Sequence, residues 1–423
     1  MFVRARALLA VLVFGFGCSA ASPAPAPSSA AASSTGGAAV TGSPPASAAA
    51  VPSTESQASS VLRVGTSGDY APFSTRDARG QPQGFDVELA TELARDLGVE
   101  LRWVPFRWPE LGQKLAAGEF DVAMGGVTWQ PARDVAGYMT RAVARGGPCV
   151  LENVAAPGAA VNRAAVNRVA VNRGGILEAW ARAHLAGREL VTVDDNQSLP
   201  TLLADGRVGA IVTDSFELRA FARPGWAQRC EPALARKVYW VAPAAPANLA
   251  TRIDAWLGSH VERVQAAQER WIGERQRLDA STHLVDLVAR RFAFMPLVAA
   301  LKAERHLPIE DLPREREVLA QVAASARREG LPEPAAVELF SLQIELSKAV
   351  QRRQLEPSTL DLGAQIRPAL SALGERILGA LAVARREGQL AQLTPADLEL
   401  LSPWLTPEER ERLRLALVAI GAP

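Results

Sequence analysis

The sequence predicts an α/β domain followed by an all-α domain, and three observations support this fold class. From Val61 onward, apolar strand-like runs alternate with amphipathic helical runs. From about residue 250 onward the pattern is helical throughout, and prolines separate the helical runs. Before these parts, residues 19–60 are almost all Ala, Pro, Ser and Gly, which bury too little apolar surface to fold.

The α/β part begins with a regular succession of elements. Gly98 ends the first amphipathic helix, because glycine readily adopts the backbone conformation that terminates a helix. The pattern predicts the elements Val61–Thr66 (strand), Asp86–Leu97 (helix), Val99–Pro105 (strand), Trp108–Ala117 (helix) and Phe120–Met124 (strand). Such a βαβ series predicts a largely parallel sheet.

The all-α part begins with one predicted helix over Ile253–Ile272, and residues 278–284 are the expected domain boundary. The later helical stretches are Leu284–Arg305, Arg314–Glu329, Pro334–Gln354 and Ile366–Arg386, and two shorter helices start at Pro395 and Pro407. Thr394 and Thr406 are the expected N-caps of these last two helices. The predicted domains are therefore residues 61–277 and 283–423.

Composition excludes several classes of function. The chain has 423 residues and a formal net charge of +1, so it lacks the basic excess of a nucleic-acid-binding protein. Its four histidines and three cysteines show no metal-binding spacing, and no metal site is expected.

Residues 1–18 are expected to be an export signal, with Arg4 and Arg6 before a short apolar core. The signal ends at Cys18, which would be lipidated if it is a bacterial lipoprotein site. The alternative is cleavage near residues 19–21 by the ordinary signal peptidase. Either route exports the chain to the periplasm, where the lipid would be its only link to a membrane. Cys149 and Cys230 then remain to form a disulfide, unless both are buried thiols.

Three basic residues in the helical part form a candidate binding site for an anion. Arg291, Lys302 and Arg314 are separated by 11 and 12 positions, and Arg367 follows further on. These residues could converge on a small dianion, because isolated buried cations are costly unless they are paired. The alternative is a solvated basic helix face.

The segment from about residue 283 to 355 resembles the helical chorismate mutases, most closely their exported class. The residues that carry the resemblance, in order, are Arg291, Lys302, Leu307–Asp311, Arg314, Glu315, Leu339, Phe340, Ser347 and Gln351. The resemblance extends more weakly to Arg367 and Arg376.

This resemblance implies a substrate and residue roles. Arg291, Arg314 and Arg367 would bind the carboxylates of chorismate, while Lys302 and Gln351 would face its ether oxygen. The hydroxyl and ring-side groups would be held by Asp311, Glu315 and Ser347. Some family members carry a Glu at the position of Gln351, and that Glu must be protonated.

Residues 61–277 resemble the two-lobed periplasmic amino-acid-binding proteins. The residues that carry this resemblance are Gly68–Phe73, Gly84–Ala90, Gly118–Ala123, Thr128 and Arg133. In that fold, the Arg binds the ligand carboxylate through a bidentate pair.

Within that fold the segment most resembles cyclohexadienyl dehydratases, which act on prephenate or arogenate. The marks are Trp108-Pro109, Val171-Asn172-Arg173-Gly174-Gly175, Thr213-Asp214 with Glu217, and the Cys149/Cys230 pair. Glu217 would protonate the departing hydroxyl. Asp69, Trp108, Asn172 and Asp214 would shape the pocket.

The sequence also departs from the dehydratase pattern. Arg173 replaces a proline of the family, and Ile176 and Leu177 stand where polar residues are usual. A lysine usual before the first pocket cysteine is lost around residues 145–147. The cleft could therefore bind a ligand without catalysis.

The two resemblances name consecutive reactions, because a chorismate mutase produces the prephenate that a dehydratase consumes. They imply an exported bifunctional enzyme that needs no cofactor, with chorismate and prephenate as its small-molecule substrates. The alternative is an active mutase fused to a non-catalytic module that binds an amino acid or aromatic acid. Acceptance of arogenate and the oligomeric state are left open by the sequence.

Overall fold

The computed structural model describes residues 60–154, 166–231 and 235–421. The predicted export signal, Cys18 and all but the last residue of the predicted linker lie outside the described residues. Within the described ranges, no helix is both long and apolar enough to cross a membrane.

The first lobe starts with the predicted order of strands and helices. Its elements are β1 (Val61–Thr66), β2 (Thr75–Arg76), β3 (Pro82–Gln83), α1 (Phe85–Leu97), β4 (Glu100–Pro105), a 3₁₀ turn (Trp108–Glu110), α2 (Leu111–Ala116), β5 (Val122–Ala123), α3 (Pro131–Asp134), β6 (Tyr138–Met139) and β7 (Ala144–Gly146). The strand predicted over residues 120–124 is shorter than expected, because only Val122 and Ala123 pair with neighbouring strands.

The second lobe follows directly. Its elements are β8 (Pro148–Asn153), β9 (Arg168–Asn172), α4 (Ile176–His184), β10 (Glu189–Val193), a 3₁₀ turn (Asn196–Ser198), α5 (Leu199–Ala204), β11 (Ala210–Asp214), a second 3₁₀ turn (Ser215–Glu217), α6 (Leu218–Phe221) and β12 (Trp226–Cys230). The predicted disulfide is present: Cys149 of β8 is bonded to Cys230 of β12.

The chain then returns to the first lobe through β13 (Ala235–Lys237) and β14 (Trp240–Val241), followed by α7 (Leu249–Ser259) and α8 (Val261–Trp271). The prediction of one helix over residues 253–272 is wrong, because the helix breaks at His260. The Ser259 hydroxyl and the His260 ring both hydrogen-bond to the Trp256 carbonyl, and such local bonds compete with a continuous helix.

Each lobe contains a five-stranded sheet, and the prediction of a largely parallel sheet is wrong for both. The strand orders are β4-β1-β5-β14-β6 and β10-β9-β11-β8-β12. The βαβ units give parallel pairs, as β1 with β4 and β9 with β10. The pairs of β14 and β8 with their neighbours are antiparallel, because these strands follow crossings between the lobes rather than βαβ connections.

The two lobes share a pair of crossing strands. Strand β7 leads out of the first lobe and β13 leads back, and the two pair in antiparallel fashion with Lys237 opposite Ala144. Lys237 therefore sits where the lobes meet.

The helical region follows the first lobe. Its elements are α9 (Ala280–Ala293), α10 (Met295–Glu304), α11 (Leu312–Glu329), α12 (Glu333–Arg353), a π-helical turn (Leu362–Ile366), α13 (Arg367–Arg386), two 3₁₀ turns (Leu390–Gln392 and Pro395–Leu401) and α14 (Pro407–Gly421). The two predicted N-caps are confirmed: Thr394 and Thr406 each form reciprocal bonds with an acidic residue three positions on.

One prediction for this region needs correction. The helix expected over residues 284–305 is divided at Phe294, where α9 ends and α10 begins with Pro296 in its first turn. Proline has no backbone N–H, so it favours a helix start over a helix interior. Helix α9 begins at Ala280, within the expected boundary segment 278–284, and Asp279 caps it by accepting a bond from the Thr282 N–H (2.8 Å).

The helical region packs directly on the first lobe through a continuous apolar core. Trp129 of the first lobe meets Phe294 edge-to-face, with ring centroids 6.1 Å apart. Phe106 and Trp240 of the lobe belong to the same buried cluster as Leu287 of α9. Burial of this kind is the main favourable term in folding, so the two parts stabilise one another.

A buried ionic cluster lies in the same interface. Asp286 of α9 is fully buried and pairs with both Arg290 (2.8 Å) and Arg236. Arg290 also donates to the backbone carbonyls of Met139 (3.2 Å) and Thr140 (2.8 Å) in the first lobe. Burial alone would raise the pKa of Asp286, but the two guanidinium groups lower it to about 2. The cluster is therefore charged, paired and shared between the two parts.

Replacing Asp286 with alanine should lower the free energy of unfolding by about 3–5 kcal/mol, because it leaves two buried guanidinium groups without their carboxylate. Urea denaturation followed by circular dichroism measures this change.

The matched control is Glu345→Ala, which removes an ion pair with Arg412 (3.0 Å) between two exposed side chains. It should cost less than about 1 kcal/mol. Equal, small effects of both substitutions would show that the buried cluster does not hold the interface.

Candidate functional sites

A cleft of about 600 Å³ lies between the two lobes. All seven cleft residues predicted from the sequence line it: Asp69, Trp108, Thr128, Arg133, Asn172, Asp214 and Glu217. Asp69 follows β1 of the first lobe, while Asn172 and Asp214 end β9 and β11 of the second lobe, so carboxyl ends of strands from both sheets meet at the cleft.

Glu217 lies in the 3₁₀ turn after β11 and is 2% exposed. Its carboxylate accepts hydrogen bonds from the hydroxyl of Thr213 and the amide of Asn196. Burial and the charge of Asp214 raise the pKa of Glu217 to about 7, against the effect of these bonds and of Lys237. Near neutral pH, the group can therefore donate a proton inside the cleft.

Sequence analysis missed Lys237, which lies at the centre of the cleft. Its ammonium pairs with Asp214 (2.9 Å) and donates to the hydroxyls of Tyr70 (2.7 Å) and Thr128 (3.1 Å). A single Lys beside an apolar strand forms no motif. The useful signal was its position directly before Val238–Val241, since a charged residue adjoining a buried strand needs a partner.

Arg133 lies on the short helix α3 and lines the cleft. Its guanidinium donates to the Thr128 carbonyl (2.8 Å) and lies over the Trp240 ring, 5.8 Å from the centroid. Burial lowers the pKa of Arg133 to about 10, which still leaves it charged near neutral pH. A buried guanidinium beside a cavity is suited to a ligand carboxylate.

The lobes touch across the cleft. Phe73 of the first lobe meets Phe216 of the second, with ring centroids 4.9 Å apart. The Gln197 amide also donates to the Asp69 carbonyl (3.3 Å), and the Lys237–Asp214 pair joins a crossing strand to the second lobe. Gly175, Ile176 and Leu177 line the same cavity, so the apolar departures from the dehydratase pattern face the ligand space.

A second cavity, of about 960 Å³ with its open mouth, lies within the helical region. All eight residues predicted there line it: Arg291, Lys302, Asp311, Arg314, Glu315, Ser347, Gln351 and Arg367. They come from α9, α10, the start of α11, α12 and the first residue of α13. The alternative of a solvated basic helix face is therefore wrong for Arg291 and Lys302, which are only 8% and 9% exposed.

Arg367 belongs to this cavity although a proline follows it. It is the first residue of α13, and Pro368 occupies the second position, where its missing N–H breaks no helical bond. Arg376, the other weak match, does not line this cavity. It lies on a different face of the same helix.

The cations of the helical cavity differ in their partners. Burial, with the nearby charge of Arg314, lowers the pKa of Arg291 to about 10, and its Nε has no hydrogen-bond partner among the described residues. The Lys302 ammonium donates to the Ile309 carbonyl (2.7 Å), and burial lowers its pKa. Arg314 donates to the Ser371 hydroxyl (3.1 Å).

Two neutral side chains in the cavity also lack partners. The Ser347 hydroxyl and the Gln351 Oε1 are buried without a hydrogen-bond partner in the described part of the chain. The Gln351 amide nitrogen donates to the Met295 sulfur (3.6 Å). Buried polar atoms are normally satisfied, so this set indicates a site built for a polar ligand.

Two acidic residues that line the helical cavity pair with basic residues of the same cavity. Asp311 caps α11 by accepting from the Arg314 N–H (3.2 Å) and pairs with Arg367 (3.2 Å). Glu315 pairs with Lys348 (3.1 Å), another lining residue that sequence analysis missed. Lys348 could have been found from its position on α12, because it follows Ser347 and lies about one turn before Gln351.

Comparison with known proteins identifies a matching protein family and several similar proteins. The family model of the bacterial extracellular solute-binding proteins, family 3, matches residues 62–394. Cyclohexadienyl dehydratase of Pseudomonas aeruginosa is 35% identical over 39% of this chain and 63% of its own length. The L-cystine-binding protein TcyJ of Escherichia coli is 30% identical over 36% of this chain and 58% of its own. The chain thus spans about three fifths of these curated relatives.

Solved structures match half of the chain. An ancestral cationic amino acid solute-binding protein is 29% identical over 50% of this chain and 95% of its own, with a TM-score of 0.42. An ancestral cyclohexadienyl dehydratase is 31% identical over 50% of this chain and 92% of its own, with a TM-score of 0.31.

The raised pKa of Glu217 predicts a pH dependence of stability. Between pH 4.5, the ordinary pKa of a glutamate, and about pH 7, the folded protein keeps the Glu217 proton. The unfolded chain releases it over the same range. Stability from this group is thus present below pH 4.5 and falls by at most about 3 kcal/mol as the pH rises to about 7. Glu217→Gln should remove this part of the decline in urea denaturation at several pH values.

Asp86, whose pKa burial also raises to about 7, keeps its own contribution in both proteins, so only the difference between them reports Glu217. Glu329→Gln, at an exposed position on α11, should keep the wild-type slope. Identical slopes for wild type and Glu217→Gln would contradict a protonated Glu217.

Proposed function

The chain belongs to the bacterial extracellular solute-binding proteins, family 3, and we propose that its two cavities catalyse consecutive reactions. The helical cavity would convert chorismate to prephenate, and the cleft would convert prephenate to phenylpyruvate. The observation that carries the proposal is that the fifteen site residues predicted from the sequence line two cavities, seven in the cleft and eight in the helical cavity.

The first reaction is an intramolecular rearrangement that needs no covalent intermediate. The helical cavity would hold chorismate in its compact conformer, with both carboxylates on the guanidinium groups of Arg291, Arg314 and Arg367. Lys302 and Gln351 would stabilise the charge that develops on the ether oxygen as its bond to carbon breaks. The unpartnered Nε of Arg291 supports its role, since a carboxylate of the bound dianion would accept a hydrogen bond from it.

The second reaction is an elimination driven by formation of an aromatic ring. Arg133 would anchor a carboxylate, and protonated Glu217 would donate its proton to the departing hydroxyl, which leaves as water. The electron pair that completes the ring comes from the breaking carbon–carboxylate bond, and carbon dioxide leaves. The raised pKa of Glu217 supports this role, and so does the 35% identity with a cyclohexadienyl dehydratase.

Lys237 would take the place of the lysine that dehydratases usually carry and that this sequence lacks near residues 145–147. It lies on β13, which pairs with β7 over residues 144–146, so its ammonium enters the cleft from the neighbouring strand. Fixed by Asp214, it would hold positive charge beside the substrate. Ile176 and Leu177 would then pack on the apolar faces of the ring.

Two reactions in one chain raise the local concentration of the intermediate. The family's members are extracellular, which implies a periplasmic location. Lipidation of Cys18 remains part of the proposal. Arogenate, which carries an amino acid side chain in place of the keto acid, is a second possible substrate of the cleft.

A second candidate function for the cleft is capture of an amino acid or aromatic acid without catalysis. It is favoured by the apolar Ile176 and Leu177 in the cavity and by the amino-acid-binding proteins among the relatives. Under this alternative, only the helical cavity would be catalytic.

Replacing Glu217 with glutamine should reduce phenylpyruvate formation at least about 1,000-fold and leave the conversion of chorismate to prephenate unchanged, because only the cleft loses its proton donor. Chromatography of quenched reactions with chorismate measures both products.

Glu231→Gln, an exposed change in the same lobe, serves as the control and should retain both activities. Retained phenylpyruvate formation in Glu217→Gln would refute the assigned role. Prephenate that is never consumed by the wild type would favour the binding alternative.

The conversion of chorismate should be nearly independent of pH from about 5 to 8, because Gln351 carries no titrating proton. Gln351→Glu should introduce a loss of rate as the pH rises, since a carboxylate would repel the developing charge on the ether oxygen. Initial rates of chorismate loss across this range provide the test. A steep loss in the wild type, or a flat profile in the variant, would contradict the placement of Gln351.

A further inference from the structure

A third cavity lies where α13 packs against the first lobe, apart from both sites described above. It encloses about 740 Å³ with its open mouth, between residues 134–138 and Pro243 of the lobe and Ala369, Ala372, Leu373 and Arg376 of α13. We propose that this cavity binds a small α-amino acid with an apolar side chain.

Arg376 provides the carboxylate-binding group. It lies with its guanidinium over the Tyr138 ring, 4.5 Å from the centroid. Its Nη2 is buried and has no hydrogen-bond partner in the described ranges. Burial opposes its charge, but Tyr138, Asp254 and Asp134 hold its pKa above the usual value. Leaving a buried N–H without an acceptor is costly, and a ligand carboxylate would satisfy the Nη2 group of this charged guanidinium.

Asp134 provides the group for the ammonium. It lines the same cavity from the end of α3. Burial raises the pKa of Asp134, which means that its carboxylate lacks full compensation despite Arg290 and Arg376 nearby. A bound ammonium would supply that compensation.

The rest of the wall is apolar and small. Val135, Ala136, Pro243, Ala369, Ala372 and Leu373 line the cavity. Their short side chains leave room for an aliphatic or aromatic group, and they offer it no hydrogen-bond partner. One acid, one base and an apolar wall match the three parts of an apolar amino acid.

The position of the cavity distinguishes it from the other two. Another face of α13 contributes Leu370, Gly374 and Leu378 to the helical cavity. On α3, Arg133 lines the cleft while its neighbour Asp134 lines the third cavity. An occupant would therefore touch one element of each proposed catalytic site without entering either.

The test is isothermal titration calorimetry of the full chain with L-leucine, L-valine and L-phenylalanine. At least one should bind, and its analogues without the carboxylate or without the ammonium should bind at least about tenfold more weakly. Arg376→Gln and Asp134→Asn should each weaken binding by a similar factor. Ala372→Phe fills the cavity from an exposed position, so it keeps the test valid if Arg376→Gln does not fold.

The cleft could also take an amino acid, and Arg133→Ala separates the two sites. Binding that persists in Arg133→Ala and is lost in Ala372→Phe supports the third site. Binding that is lost in Arg133→Ala and kept in both Arg376→Gln and Ala372→Phe belongs to the cleft and overturns the proposal, as does the absence of binding for all three amino acids.

Discussion

The contact on which both sites depend is the buried pairing of Asp286 with Arg236 and Arg290. It joins a crossing strand of the lobes to the first helix of the helical region. On each element, the next residue belongs to a cavity: Lys237 follows Arg236 into the cleft, and Arg291 follows Arg290 into the helical cavity. One ionic cluster therefore fixes the backbone that presents a cation to each site.

Backbone geometry explains why neighbouring residues on these two elements lie in different environments. Neighbouring residues on a strand point to opposite sides, so β13 can place Arg236 in the interface and Lys237 in the cleft. Neighbouring residues on a helix are about 100° apart, which allows α9 to place Arg290 against the lobe and Arg291 against Phe340. A charged cluster is more costly to bury than an apolar contact of the same size, and removal of one partner leaves the others uncompensated.

Most of the site residues could be predicted from the sequence, because their order and spacing resemble those of two known families. The spacing of Arg291, Lys302 and Arg314 left a solvated helix face open as an alternative, and the resemblance favoured one shared cavity. Lys237 and Lys348 were missed because each acts through tertiary partners, Asp214 and Glu315, that no local pattern reveals. The helix breaks at His260 and Phe294 and the antiparallel strands were missed for a different reason. The first break follows from local bonds to the Trp256 carbonyl, the second from Pro296, and the antiparallel pairs from lobe crossings, and apolar periodicity reports none of these.

The most direct test of the two-reaction account is a time course of the purified full-length chain with chorismate, in which chorismate, prephenate and phenylpyruvate are quantified in each quenched sample. The account predicts that chorismate disappears, that prephenate rises and then falls, and that phenylpyruvate accumulates to match the chorismate consumed. Chorismate that stays at its initial concentration would contradict the central claim, because a cavity lined by Arg291, Lys302 and Gln351 would then serve another ligand.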